Sequence, residues 1–209
     1  MRLTRLFTKA VSARRMRAAS LLVAVGATSL LVGCSSTVRS GQASSYLVLQ
    51  RLEGSSGADS GAPFQTVLRS DVLTKGSIYE DNGRVTLSIA MKDVTNPAGP
   101  TANNSITLNR YRVEFRRTDG RNTPGEDVPY GFEGAMGLTV GDQAVAAVFT
   151  LVRAQAKLER PLVTLKGNNG ALVLSTIADI TFFGKDQTGR DVTVTGSMSI
   201  NFADWADPD

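Results

Sequence analysis

Histidine is absent from this 209-residue chain, and cysteine occurs once, at Cys34. Without an imidazole base, neither a Ser-His-Asp triad nor a Cys-His pair can form. The same absence excludes His-ligated zinc, copper and iron, and one cysteine cannot supply a multi-thiolate site or an intrachain disulfide. The chemistry left open rests on carboxylate pairs, lysine, tyrosine, and oxygen-ligated calcium or magnesium.

Acidic residues are missing from the first 33 positions, which hold six of the 23 basic residues. The net charge of +4 and the pI of about 9.5 are therefore due to this N-terminal segment. The remaining 17 basic and 19 acidic residues give the rest of the chain a net charge of −2. A basic pI of this origin gives no support to nucleic-acid binding, and we predict no nucleic-acid partner.

One uncharged apolar run, at residues 18–33, follows the basic segment. A basic stretch followed by an apolar one is the pattern of a secretory signal. The 16 residues of this run fall short of the roughly 20 that a membrane-spanning helix needs. We therefore interpret residues 1–33 as an export signal.

Leu31, Val32, Gly33 and Cys34 end this run and together resemble the lipobox of bacterial lipoproteins. The resemblance covers residues 1–34 only. It implies cleavage before Cys34 and a diacylglycerol on its sulfur, so that the mature chain is held to a membrane through this lipid anchor. Ser35 stands where inner-membrane retention signals of enterobacteria-like lipoproteins carry Asp. The resemblance thus implies the bacterial cell envelope, at the outer rather than the inner membrane.

Two further segments follow the predicted signal. Residues 34–45 carry the cysteine and then small polar residues without aromatics, and we interpret them as a flexible tether with an r.m.s. span of roughly 18 Å. Residues 46–209 are long enough to bury one core. We predict that they form a single domain.

Short alternating runs separated by turn residues fill this predicted domain. Alternation is clearest at residues 84–94, 106–117 and 191–202, which indicates half-buried strands. The parity changes near Asn109, which predicts a bulge. Residues 171–184 and 191–202 predict a hairpin. Other signals predict a turn at Asp81-Asn82-Gly83 and a short helix over residues 153–160, ended by Pro161.

About eight strands with little helix predict an all-β fold. We expect an antiparallel β-sandwich of immunoglobulin-like architecture with one short helix. A closed up-and-down β-barrel is the alternative. The likeness to immunoglobulin domains is architectural, because the chain lacks their pair of core cysteines.

Acidic residues gather in the predicted loops, but none of the groups has the ordered spacing of a calcium loop. We interpret them as solvated turn carboxylates. These groups are Glu80 with Asp81, Glu126 with Asp127, Asp186 with Asp191, and Asp204 with Asp207 and Asp209. No phosphate loop, dinucleotide fingerprint, zinc motif or nucleophile elbow is present. We predict no catalytic residue, no metal and no cofactor.

Two functional classes fit these observations. The first, which we favour, is a non-catalytic lipid-anchored envelope protein whose β-sandwich binds or spaces another component. The alternative is a surface hydrolase or glycan-binding protein that uses two carboxylates across a cleft.

Five arginines mark a candidate contact surface. Arg110, Arg112 and Arg116 share one face of a predicted strand, and Arg117 and Arg121 follow at the start of a long loop. Arginine forks bind phosphate or carboxylate with two hydrogen bonds, so this surface could meet an envelope protein or an anionic lipid or glycan. The alternative is a solvated strand face whose arginines pair with acidic residues of neighbouring strands.

Overall fold

The computed structural model describes residues 43–59, 61–93, 95 and 99–205. The predicted signal segment, lipobox and Cys34 lie outside these residues, as does most of the predicted tether. No helix in the described ranges is long and apolar enough to cross a membrane.

Eight strands form in the described part of the chain. They are β1 (Ser45–Ser55), β2 (Val67–Asp71), β3 (Asp81–Met91), β4 (Ile106–Arg116), β5 (Phe132–Val140), β6 (Val145–Val152), β7 (Leu174–Asp186) and β8 (Asp191–Ala203). One sheet has the order β1-β3-β6, and the other has the order β2-β8-β7-β4-β5. The inward side chains of both sheets form one core, so the predicted β-sandwich is confirmed. The two separate sheets exclude the closed barrel that was its alternative.

The strand order agrees with an immunoglobulin-like arrangement. In that scheme strands A, B and E form one sheet and strands C, F and G the other, which matches β1-β3-β6 and β4-β7-β8 here. Strand β2 differs from our expectation, because it runs parallel to β8. The chain leaves the smaller sheet after Ser55 and turns back, so that Gln65 pairs antiparallel with Gly54. It then joins the edge of the larger sheet as β2.

The predicted faces and the bulge are confirmed. Along β4 the inward Tyr111, Val113 and Phe115 are buried, while the intervening charged side chains are exposed. The pairing of β4 with both neighbours shifts between Leu108 and Arg110, where the change of parity predicted a bulge. The hairpin of β7 and β8 is also confirmed, with Leu174 opposite Phe202.

The predicted short helix is of the 3₁₀ type, and one predicted turn is wrong. Residues 154–158 and 162–165 form two short 3₁₀ helices on either side of the Arg160–Pro161 bond. Asp81-Asn82-Gly83 opens β3 and is not a turn. Gly83 is needed there for space, because a Cβ at this position would lie 2.4 Å from the Phe149 ring opposite it.

An aromatic cluster fills the centre of the sandwich. Phe149 of the smaller sheet contacts Tyr111 and Phe182 of the larger one, at ring-centroid distances of 5.0 and 5.4 Å. Phe132 meets Tyr111 edge-on at 6.2 Å. Such edge-to-face contacts add to the energy of burial, so this cluster joins the two sheets.

Candidate functional site

The predicted arginine surface lies on the outer face of the larger sheet. Arg110, Arg112 and Arg116 project outward from β4, as their spacing predicted. The ring of Phe183 on β7 lies below the first two, 3.9 Å from the Arg110 guanidinium carbon and 5.8 Å from that of Arg112. Stacking on an aromatic ring fixes the planes of these guanidinium groups.

Carboxylates on the neighbouring strands pair with all three arginines. Glu133 of β5 accepts hydrogen bonds from Arg110 at 2.9 Å and from Arg112 at 2.6 Å. Asp179 of β7 binds Arg116 at 2.6 Å. The hydrogen bonds from Arg112 and then from Arg110 hold the pKa of Glu133 below its usual value. These carboxylates are the cross-strand partners that the solvated-face alternative requires.

Arg117 and Arg121 lie apart from that face, in the loop after β4. Both guanidinium groups bind Asp119, and the hydrogen bond from Arg117 is the main reason why the pKa of Asp119 is well below its usual value. All five predicted arginines therefore have acidic partners. On β4 and its neighbours, the three arginines face three carboxylates, those of Glu114, Glu133 and Asp179. Lys185 of β7 lies on the same face and pairs with Asp191 of β8, so the charges of this face balance.

Arg110, Arg112 and Arg116 can be tested together as a contact surface. We expect their replacement by Ser to leave the thermal unfolding midpoint nearly unchanged, because exposed ion pairs contribute little to stability. Binding of the protein to vesicles with anionic headgroups should fall if the surface recognises phosphate. Unchanged binding at low and high salt would identify these three arginines as ordinary surface residues.

Two of the predicted loop carboxylates, those of Asp127 and Asp186, do not lie together. Asp127 lies in the loop that follows β4, where its side chain accepts the amide hydrogen of Thr123 at 3.2 Å. Asp186 lies opposite Ile106, at the start of β4 and hence at the other end of the sandwich. No group of three or more acidic or cysteine residues in the described part of the chain could hold a metal ion.

Three of these acidic residues are buried, which corrects our interpretation of them as solvated. The Asp186 carboxylate caps the β7–β8 turn by accepting hydrogen bonds from Thr188 and from the Arg190 amide. Burial by itself raises the pKa of Asp186, but these hydrogen bonds outweigh it and hold the pKa below the ordinary value. Asp204 accepts the amide hydrogen of Gly167.

The third is Asp81, which forms a buried ion pair. The Lys157 ammonium lies 2.9 Å from the Asp81 carboxylate, and the two side chains are only 1% and 0% exposed. Ser70 of β2 donates a further hydrogen bond at 2.6 Å. Burial raises the pKa of Asp81 above its ordinary value, against the opposing effect of Lys157. The pair ties β2, β3 and the first 3₁₀ helix together.

A polar groove on the smaller sheet was missed by the sequence analysis. Glu53 belongs to β1, and its carboxylate accepts hydrogen bonds from two N–H groups of Arg84 at 2.8 and 3.1 Å. The Arg84 guanidinium also stacks on Phe64 at 4.3 Å. The groove has a volume of about 520 Å³, and its lining consists of Gln50, Arg51, Glu53, Arg84, Thr86 and Ala146.

The groove is open, and most of its lining residues carry hydrogen-bonding side chains. The Arg51 side chain is available to a partner, because it is 65% exposed and its contact with the nearest Glu53 carboxylate oxygen is long, at 3.7 Å. The alternation of Arg84, Thr86 and Ser88 along β3 was the one sequence signal for this face. That alternation did not reveal that β1 lies beside β3.

Comparison with protein-family models, with curated proteins and with solved structures finds no match for this chain.

Proposed function

We propose that this protein is a non-catalytic lipoprotein of the bacterial cell envelope, anchored at the outer membrane through Cys34. Its β-sandwich binds or spaces another envelope component. Two features support this function: the lipobox-like sequence at residues 31–34 and the folded module that follows it closely along the chain.

One observation carries the proposal. Strand β1 begins at Ser45, eleven residues after Cys34, and Ser45 is already 1% exposed. The side-chain hydroxyl of Ser45 donates to the carbonyl of Asn104 at 2.9 Å. The folded module therefore begins soon after the proposed anchor, and a tether of this length keeps the sandwich near the bilayer surface.

The carboxylates support a binding role over the hydrolase alternative. Glu53, Asp81 and Asp186 are each held by structural partners, namely Arg84, Lys157 and the β7–β8 turn. A glycosidase needs two carboxyl groups that face each other across its substrate. The polar groove around Glu53 instead offers hydrogen-bonding side chains to a partner or glycan that is held without reaction.

The anchor is tested by Cys34→Ala. We expect the wild-type chain in the membrane fraction, with acyl groups on its N-terminal peptide by mass spectrometry. The variant should leave that fraction, because it has no sulfur to acylate and one or more acyl chains provide the binding energy. Ser36→Ala, in the tether, is the matched control and should remain with the membrane.

Two results would contradict the proposal. One is a Cys34→Ala variant that stays in the membrane while the wild type carries no acyl group. The other is turnover of a glycan or ester that disappears in Asp127→Asn or Asp186→Asn, which would establish the hydrolase alternative.

A further inference from the structure

Strand β6 is an edge strand with an unusual composition. It pairs with β3 on one side, and no strand of the described chain pairs with its other side. Its sequence, Val-Ala-Ala-Val-Phe-Thr-Leu-Val, contains no charge, no proline and no glycine. Val148, near its middle, is 59% exposed. An uncharged apolar edge of this length is a template for pairing with another strand.

The other three edges carry features that oppose such pairing. Strand β1 contains Arg51 and Glu53 and a register shift after Leu49. Strand β2 has only five residues, two of them charged. Strand β5 contains two glycines and a glutamate. Charges, bulges and short length are the usual protection of natural edge strands, so β6 is exceptional within this fold.

Opposite charges flank β6. Asp142 precedes it and Arg153 follows it, and neither forms an ion pair with a described residue. The Arg153 guanidinium lies 4.6 Å from the Phe132 ring, and its Nε is buried without a hydrogen-bond partner. In an antiparallel pair of two β6 strands, the beginning of one lies beside the end of the other. Asp142 of each copy would then approach Arg153 of the other.

We propose that β6 is a dimerisation edge and that its partner is the β6 strand of a second copy, paired antiparallel. Directly opposed residues of an antiparallel pair share a face. A two-fold axis at Val148 sets this valine against its own counterpart and Ala146 against Thr150. The two three-stranded sheets then join into one.

A second copy fits this edge better than an unrelated strand. The contact is isologous, since the same uncharged residues meet on both sides and the flanking charges are complementary only in the antiparallel sense. Pairing reverses the strand direction, so the two N-termini leave from opposite ends of the dimer. Two copies anchored in one bilayer therefore lie with their strands along its surface, although the pairing does not depend on the anchor.

Crosslinking through an introduced cysteine in the full chain tests the register. Val148→Cys should give a disulfide-linked dimer on mild oxidation of membranes, because opposed residues bring their Cα atoms within disulfide range. Val67→Cys is the matched control, an exposed valine on the edge strand β2. We expect no dimer with Val67→Cys. We also expect none with the wild type, in which any crosslink would have to form through Cys34.

Sedimentation of the full chain in detergent tests the pairing itself. Val148→Lys should convert the dimer to a monomer with an unchanged far-ultraviolet circular dichroism spectrum, while Val67→Lys should remain dimeric. The proposal is overturned if the wild type is a monomer at every concentration or if Val148→Lys stays dimeric. It is also overturned if Val148→Cys crosslinks to a different protein in place of its own copy.

Discussion

Lys157→Met is expected to lower the free energy of unfolding by about 3–5 kcal/mol, the range found when one partner of a buried ion pair is removed. Methionine fills most of the volume of the lysine side chain, so the loss is mainly that of the charge. The Asp81 carboxylate is 0% exposed, and without Lys157 it has no counter-ion. For a domain of this size, the midpoint of thermal unfolding should fall by roughly 10 °C.

The destabilisation caused by Lys157→Met should depend on pH. Burial already raises the pKa of Asp81 above its ordinary value of 3.8, and Lys157 opposes that rise. Removal of the ammonium raises the folded-state pKa further. A carboxyl group with a raised folded pKa favours the folded state below its unfolded pKa, and this stabilisation is lost as pH rises through the folded pKa. Lys157→Met should therefore cost less near pH 4 than near pH 8.

Two controls isolate the buried charge. Lys185→Met breaks a surface ion pair with the same N–O distance, 2.9 Å, but with side chains that are 54% and 40% exposed. It should change stability by less than about 1 kcal/mol. Combining Lys157→Met with Asp81→Asn removes the uncompensated charge and should restore most of the stability. Equal losses from Lys157→Met and Lys185→Met would show that burial does not govern the contribution of this pair.

Much of the sandwich was predictable, because apolar and polar residues alternate along its strands. The alternation along β3, β4 and β8 identified their inward faces, and the parity change near Asn109 located the bulge. Each of these signals is local, since it depends on residues one or two positions apart and on the burial of one face.

The ion pairs were not predictable from the sequence, because their partners lie far apart along the chain. Arg116 pairs with Asp179, 63 positions away, and nothing near either residue indicates the other. Asp81 lies in a predicted turn and Lys157 in a predicted short helix, and neither residue is unusual in its local sequence. Their burial arises only where β3, β2 and the loop after β6 meet. The same holds for the polar groove, which requires β1 and β3 to be adjacent.

Strand β7 provides a test of the two-sheet core, because it contains two adjacent phenylalanines with opposite surroundings. Phe182 is 0% exposed and packs 5.4 Å from Phe149 across the sandwich. Phe183 faces outward and contacts Arg110. Residue type cannot distinguish them, whereas the register does, since Phe182 lies opposite Tyr111 and Phe183 opposite Arg110.

Phe182→Ala should reduce the free energy of unfolding by about 3–5 kcal/mol, through lost burial and the cavity left between the sheets. Phe183→Ala should cost only about 1 kcal/mol, since it loses an exposed cation–π contact and some apolar contact area. Both values can be taken from urea unfolding, in which a shifted midpoint with an unchanged slope reports stability alone. If Phe183→Ala is as damaging as Phe182→Ala, the outer face of the larger sheet is buried by something else. The second copy proposed at β6 does not cover that face, so a different partner would then have to be sought there.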